Sequence, residues 1–318
     1  MLAFNTVCMR LKSLSLQPQS NMMHKAGFVN ILGKPNVGKS TLMNALLGEK
    51  LSIASAKAQT TRHRIMGIIN SDDFQMVFSD TPGILDPQYK LHEHMMNYVD
   101  EALKDADVIL LVAEAGDSPD KGEGQNLYKR VVERLSKFEI PVIVAINKID
   151  RVTPEIREEN KLAWQTAIPN AEVLLMSAIK GDGVIELYVR LMALLPESPP
   201  YYDKEHMSDR PLRFFASEMI REKIFLNYKK EIPYSCEVEI EEYKEGEGID
   251  HIRALINVER DSQKGIIIGH KGESLKKTAS AARVDLEAFL GKKVYLEVFV
   301  KVKSGWRSNE DMLKRFGY

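Results

Sequence analysis

Apolar and polar positions follow two different periods along the first two thirds of this 318-residue chain. Short apolar runs at 28–32 (Phe-Val-Asn-Ile-Leu), 108–112 (Val-Ile-Leu-Leu-Val), 141–146 (Pro-Val-Ile-Val-Ala-Ile) and 172–176 (Glu-Val-Leu-Leu-Met) predict buried strands. Helical spacing recurs between them, beginning with the leucine pattern at 41–47 and ending with 184–195. Near-continuous apolar strands alternating with helices predict an α/β domain, a mostly parallel sheet covered on both faces. One antiparallel exception is expected: 64–69 and 74–78 flank the turn Asn70-Ser71-Asp72-Asp73. Residues 52–63 are small, polar and aperiodic, which predicts a mobile loop.

A second block follows. Pro196-Glu197-Ser198-Pro199-Pro200 stops the last helix, and the polar stretch to Pro211 reads as a linker. An amphipathic helix is expected from about Arg213 through Tyr228, then strands at 237–241 and 252–258, a helix at 273–282 and a last strand at 293–300. The expected division is a disordered leader at 1–25, a first domain at 26–195, a linker at 196–211, a second, α+β domain at 212–303 and a short helical tail at 304–318. A translation start at Met22 or Met23 fits the leader equally well. Trp306 and Phe316 of the tail read as core anchors, with base stacking as the alternative.

Composition adds limits. The chain is 44% hydrophobic and 28% charged with a formal net charge of -1, ordinary for a soluble globular protein. Any polyanion surface must therefore come from local segregation of charge. Cys8 and Cys236 lie far apart with no metal spacing, which predicts reduced thiols and a cytoplasmic protein. No apolar run approaches a membrane span.

The chemistry lies at strand ends. After the first strand comes Gly33-Lys34-Pro35-Asn36-Val37-Gly38-Lys39-Ser40, followed by Thr41 at a helix start. This is the G-x-x-x-x-G-K-[ST] phosphate loop, whose backbone N–H groups and helix dipole converge on phosphate oxygens. Lys39 would reach the β- and γ-phosphates and Ser40 would ligate Mg²⁺. The strand at 74–78 delivers Asp80-Thr81-Pro82-Gly83, suited to a Mg²⁺-linked water and a γ-phosphate. The strand at 141–146 ends in Asn147-Lys148-Ile149-Asp150, where the carboxylate can accept from N1–H and the N2 amine of guanine. Adenine offers neither donor, so GTP and GDP are the expected nucleotides. Ser177-Ala178, after the strand at 172–176, would bring a backbone N–H to guanine O6.

These motifs, over 26–195, resemble a Ras-like GTPase of the translation-factor class. The G-x-P-N-V-G-K-S loop, the Q-T-T-R segment and D-T-P-G-I narrow the resemblance to the Era-like GTPases. It implies that Thr61, with Thr60 in reserve, completes Mg²⁺ coordination with Ser40 and the water-linked Asp80. Lys39, Thr61, Asp80 and Gly83 then form the catalytic set. Ile84 stands where Ras-type enzymes place a water-orienting Gln, which implies slow intrinsic turnover. The resemblance also implies a K⁺ ion at Asn36; an Asn that only shapes the loop is the alternative.

The second block resembles a type II KH domain over about 213–303. Its run Ile266-Ile267-Ile268 leads into Gly269-His270-Lys271-Gly272, whose glycines would let the loop press on a nucleotide backbone. Ile266, Ile268, Gly269, His270, Lys271, Gly272, Lys276 and Lys277 are the candidate RNA contacts. Residues 264–307 hold ten Lys/Arg against four Asp/Glu, whereas 237–250 hold seven acids against one Lys, so the basic edge is the one to face RNA. The whole resemblance implies a monomeric switch that binds the 3′ end of 16S ribosomal RNA and assists the 30S subunit, with peripheral association at the inner face of the membrane. Two other classes fit the motifs: an RNA-binding module using nucleotide only structurally, and a membrane-associated signalling GTPase whose KH-like domain binds protein.

Overall fold

Strands β1 (Lys25–Leu32), β2 (Ile65–Asn70), β3 (Phe74–Asp80), β4 (Val108–Glu114), β5 (Val142–Asn147) and β6 (Glu172–Leu175) join in one sheet in the order β2-β3-β1-β4-β5-β6. The structure is a computed structural model describing residues 24–55, 57, 59–121, 125–136 and 139–318. The leader at 1–23 lies outside them, and β1 starts at Lys25, within the expected leader. All neighbours are parallel except the β2–β3 hairpin. Helices α1 (Lys39–Leu47), α2 (Lys90–Lys104), α3 (Gln125–Leu135), α4 (Pro154–Ala167) and α5 (Val184–Leu194) connect the strands. Val108 to Ala113 are fully buried, as a strand covered on both faces requires. Parallel strands point their carboxyl ends one way, so the loops after β1, β3, β5 and β6 emerge together.

The stretch at 196–209 is not a free linker. It runs beside the exposed edge of the sheet and meets its unpaired groups. Ile68 N–H donates to the Met207 carbonyl (2.9 Å), Met66 N–H to Asp209 (3.2 Å), and the Ser208 hydroxyl to the Met66 carbonyl (2.5 Å). An uncovered β2 would present a row of such groups to any passing strand. Gln75, fully buried in β3, fixes the same stretch: its Oε1 accepts from the N–H groups of Tyr201 (2.7 Å) and Tyr202 (2.9 Å), and its Nε2 donates to the Tyr202 carbonyl (2.7 Å).

The described residues divide into two compact units, and the second comprises 210–318 with 55–60 and 87–94. Helix α6 (Leu212–Asn227) and a short α7 (Ile232–Ser235) precede β7 (Glu237–Lys244) and β8 (Ile249–Val258). Then come α8 (Asp261–Ile268), α9 (Glu273–Leu290), β9 (Lys293–Val302) and α10 (Glu310–Arg315). The sheet order is β7-β8-β9, with β8 and β9 parallel from Ile249↔Lys293 to Val258↔Val302. Ile220, Ile224, Ile256, Ile267, Ala282 and Leu286 share its core. The tail belongs to this unit: Trp306 is fully buried, its indole N–H donates to the Ser235 carbonyl (3.0 Å), and Phe316 meets it edge-on at 5.6 Å. Core anchoring, not base stacking, is its role.

Gln75→Ala strands two N–H groups and a carbonyl beside the edge stretch. Lost buried hydrogen bonds of this kind cost about 1–3 kcal/mol in all. We expect a lower unfolding midpoint in urea and faster proteolysis at 201–209; a free linker would respond to neither.

Candidate nucleotide and RNA sites

The phosphate loop joins β1 to α1, and two glycines are required by space as well as by backbone angle. A Cβ on Gly33 (φ 147°) would lie 2.3 Å from the Val112 carbonyl oxygen, and one on Gly38 (φ 100°) 2.3 Å from Asn147 Nδ2. Asn36 also takes a left-handed backbone (φ 66°), so it shapes the loop. Lys39 is buried, its ammonium donating to the carbonyls of Gly33 and Lys34 (3.1 Å each). Burial lowers its pKa to about 8 against the pull of Asp80. Burial likewise raises the Asp80 carboxyl, while Lys39 and hydrogen bonds from Ser40 and Thr61 draw it back.

Ser40 donates to Asp80 Oδ2 (2.7 Å), and Thr61 Oγ1 lies 2.9 Å from Ser40 Oγ and 3.3 Å from Asp80 Oδ2. Asp80 Oδ1 is buried without a bond of full hydrogen-bond geometry among the described residues, with the Ser52 hydroxyl close enough to help draw the carboxyl back down. Two hydroxyls and a carboxylate form the hard-oxygen set that Mg²⁺ takes beside phosphates. The geometry also separates the two threonines: the Thr60 hydroxyl turns to the Lys57 carbonyl (3.2 Å), leaving Thr61 at the triad.

Gly83 lies against the phosphate loop, where a Cβ would meet Pro35 at 2.7 Å, and Ile84 N–H donates to the Gly33 carbonyl (3.1 Å). Thr81 is anchored by its hydroxyl to the Ile31 carbonyl (2.7 Å), and Pro82 is buried beside it. The Ile84 side chain packs on the apolar cluster that contains Leu32 and Val99. A side chain committed to the core cannot orient a water.

At the base-recognition end, Asn147 Nδ2 donates to the Val37 carbonyl (2.8 Å), tying this loop to the phosphate loop. Asp150 Oδ1 accepts from the Ser177 hydroxyl (2.6 Å), and that bond holds the carboxyl below its usual range. Lys148, in left-handed backbone (φ 65°), pairs with Glu114 at 2.6 Å. The Ala178 N–H, expected at guanine O6, donates here to Asn147 Oδ1 (2.9 Å). Ile149 begins a short 3-10 turn that carries Asp150. Lys34 of the phosphate loop pairs with Asp117 at 2.5 Å, a partner the sequence did not indicate, and Arg64, which lies in no motif, has its side chain buried among Asn30, Ser79 and Asp105.

In the second unit α8 ends at Gly269 (φ 69°), where a Cβ would lie 2.3 Å from Ser274 Oγ. Lys271 (φ 48°) and Gly272 (φ 80°) continue the left-handed turn into α9. The Tyr228 hydroxyl donates to the Ile267 carbonyl (2.8 Å), fixing the end of α8. Ile266 is 51% exposed, Ile267 is core, and Ile268 is half-buried. His270, Lys271, Lys276 and Lys277 are all exposed around the turn. The basic edge is less uniform than the sequence count implied, because Lys292, Lys303 and Arg307 pair with Asp250, Glu239 and Glu259.

A parallel sheet with a phosphate loop, a guanine-selective Asn-Lys-x-Asp turn and a C-terminal G-x-x-G unit defines a GTPase carrying a KH domain. Family models agree: residues 28–148 match the 50S ribosome-binding GTPase family and 231–307 match a KH domain. The chain is 46% identical over 295 residues to GTPase Era of Geotalea uraniireducens, covering 92% of this chain and 98% of the relative. It is 45% identical to the chloroplastic GTPase ERA1 of Zea mays over 93% of this chain and 71% of that one. A crystal structure of Era in complex with MgGDPNP and nucleotides 1506–1542 of 16S ribosomal RNA superposes with a TM-score of 0.87 at 39% identity, covering 93% and 99% of the two chains. The chain belongs to the Era family of GTPases.

Two outcomes follow from the nucleotide site. Near pH 8 the Lys39 ammonium is about half protonated in the nucleotide-free protein, and a polyphosphate restores its charge, so GTP binding takes up roughly half a proton. Calorimetry in buffers of different ionisation enthalpy should show that uptake at pH 8 and none at pH 6. Asp150→Asn removes the charge and turns one of the two oxygens expected to accept from guanine into an N–H₂ donor. At about 1.5–3 kcal/mol per charged hydrogen bond, GTP affinity falls at least ~100-fold in direct titration, while xanthosine triphosphate, with an acceptor at that edge, gains.

Proposed function

We propose that this chain is a Mg²⁺-dependent GTPase whose nucleotide state controls binding of the single-stranded 3′ end of 16S ribosomal RNA during maturation of the 30S subunit. The observation that carries it is the Ser40–Thr61–Asp80 triad, two hydroxyls gathered on one oxygen of a buried carboxylate. Ser40 and Thr61 would ligate Mg²⁺ directly and Asp80 through water. The bound cation would neutralise phosphate charge; Lys39 reaches the phosphates, and Gly83 brings its backbone to the γ end. Hydrolysis removes the group that Thr61 and Gly83 answer to, and their loops are released.

Within the second unit the Thr60 carbonyl accepts from Arg221 of α6 (2.5 Å), itself held by Glu218 (2.6 Å), and Thr60 is joined by one peptide bond to Thr61. RNA can shift this equilibrium only by binding the two states differently. The small subunit is favoured because the Era relative solved with 16S RNA aligns over the KH unit too, whereas the 50S description belongs to a family matched at 28–148 alone. A K⁺ ion at Asn36 would supply the stabilisation that Ile84 withholds. The protein would act as a monomer. Peripheral association with the inner face of the membrane rests on family resemblance; no helix among the described residues is long and apolar enough to cross a bilayer.

Single-turnover hydrolysis tests the proposal. An oligonucleotide copying the 16S 3′ end should accelerate GTP cleavage, a scrambled strand should not, and Lys271→Gln with Lys276→Gln should raise the strand concentration needed about tenfold. Sodium in place of potassium should slow the reaction, and Asn36→Ala should abolish that difference. Tight binding of the strand without acceleration would reduce the KH unit to a tether.

A further inference from the structure

Arg64 has no place in the motifs, yet its guanidinium is bonded to three other side chains beneath the nucleotide site. Its Nε donates to Ser79 Oγ (2.6 Å), Nη1 to Asp105 Oδ2 (2.6 Å), and Nη2 to Asp105 Oδ1 (2.9 Å) and Asn30 Oδ1 (3.3 Å). Asn30 in turn donates to Asp105 Oδ1 (2.7 Å) and to the Ala102 carbonyl. The Arg64 side chain is 9% exposed. One planar guanidinium, with donors in a fixed fork, thus grips three elements at once.

Two of the partners lie on strands that lead into nucleotide loops, and the third follows the helix after one. Ser79 immediately precedes Asp80. Asn30 lies in β1, three residues before Gly33. Asp105 follows α2, the helix that receives the chain after Gly83 and Ile84, and the guanidinium also meets the negative end of that helix. Arg64 itself stands three residues after Thr61, just before Ile65, which is in register with Asp80. Three residues of extended chain span at most ~11 Å, so fixing Arg64 restricts where the Thr61 hydroxyl can go.

We propose that Arg64 is a positioning residue for the GTP-bound state: acting through Ser79 and Asp105, it sets the placement of Thr61 against Asp80 and so the Mg²⁺-dependent share of the affinity for GTP. Thr61 answers to the γ-phosphate state, whereas Lys39, Ser40 and the Asn147–Asp150 turn hold either nucleotide. Loosening the clamp therefore weakens one ligand selectively. A residue serving only the fold would weaken both. The inference rests on the Mg²⁺-GTP reading above.

The experiment measures dissociation constants for fluorescent GDP and for a non-hydrolysable GTP analogue, in excess Mg²⁺ and in EDTA, on the full chain and three variants. Wild type must first bind the GTP analogue more tightly in Mg²⁺ than in EDTA; absence of that gain sinks the reading of the site, whatever the variants do. Ser79→Ala removes one link to β3 and should weaken the analogue about three- to tenfold in Mg²⁺, with GDP unchanged within twofold and the difference gone in EDTA. Asp105→Asn should do the same, and Arg64→Lys, a point charge that cannot reach all three partners, should exceed both. Equal losses for the two nucleotides, or no loss in a folded Ser79→Ala variant, would overturn the role of Arg64. If Arg64→Lys fails to fold, Ser79→Ala and Asp105→Asn decide alone.

Discussion

A carboxylate and an ammonium are buried together at the carboxyl end of the sheet, and the first unit is arranged around the cost of keeping them there. Asp80 and Lys39 are each pushed toward neutrality by burial and each pulled back by the other. Neither is fully satisfied from within the protein: Lys39 leans on two loop carbonyls, and one oxygen of Asp80 lacks a bond of full hydrogen-bond geometry among the described residues. A ligand bringing anionic oxygens to Lys39 and a cation to Asp80 relieves both at once. The site thus holds unrelieved charge, and the relief is part of the binding energy.

That arrangement demands rigid surroundings, which explains the polar residues inside apolar strands. Asn30, Gln75 and Ser79 are fully buried in β1 and β3, where a hydrophobic side chain would pack without penalty. Each is spent on holding a segment that has no regular structure of its own: Gln75 the edge stretch, Asn30 and Ser79 the Arg64 clamp. Polar residues there trade core stability for the placement of loops, a trade that only a complete hydrogen-bond set makes tolerable.

The motif loops and most elements were legible in the sequence because their chemistry is local. Four residues suffice to write a guanine-selective turn, and Gly33 and Gly38 are demanded by their own backbone angles. Alternating and continuous apolar runs placed β1, β3, β4, β5 and β6 to within a few residues. The linker was misread because its partners are the backbone of β2 and one glutamine more than a hundred residues away, while its own composition says only that no helix continues. Arg64 was invisible for the same reason, although Asn30 interrupting Phe-Val-Asn-Ile-Leu and Ser79 interrupting Phe-Ser-Asp were signals that buried polar groups needed a partner. The boundary of the KH unit was set too early: nothing near Trp306 in sequence reveals that Ser235 awaits its indole N–H.

The two glycine turns proposed to face phosphate use one plan with opposite burial. Both set a glycine turn with positive φ at a helix N-terminus and place a lysine at it, Lys39 as the first residue of α1 and Lys271 two residues before α9. Lys39 is buried and fixed by two carbonyls, which suits a ligand of one length and charge that must be held in register with a reacting bond. Lys271 is exposed, as are Lys276 and Lys277, which suits a flexible strand whose phosphates arrive at varied positions. A buried lysine charges its binding partner with the work of restoring its proton; an exposed one carries its charge already and attracts from a distance. The first makes affinity depend on the chemical state of the nucleotide, the second makes it depend on salt. A switch needs both, because the component that senses hydrolysis must be selective, while the component that captures a strand must be fast and reversible.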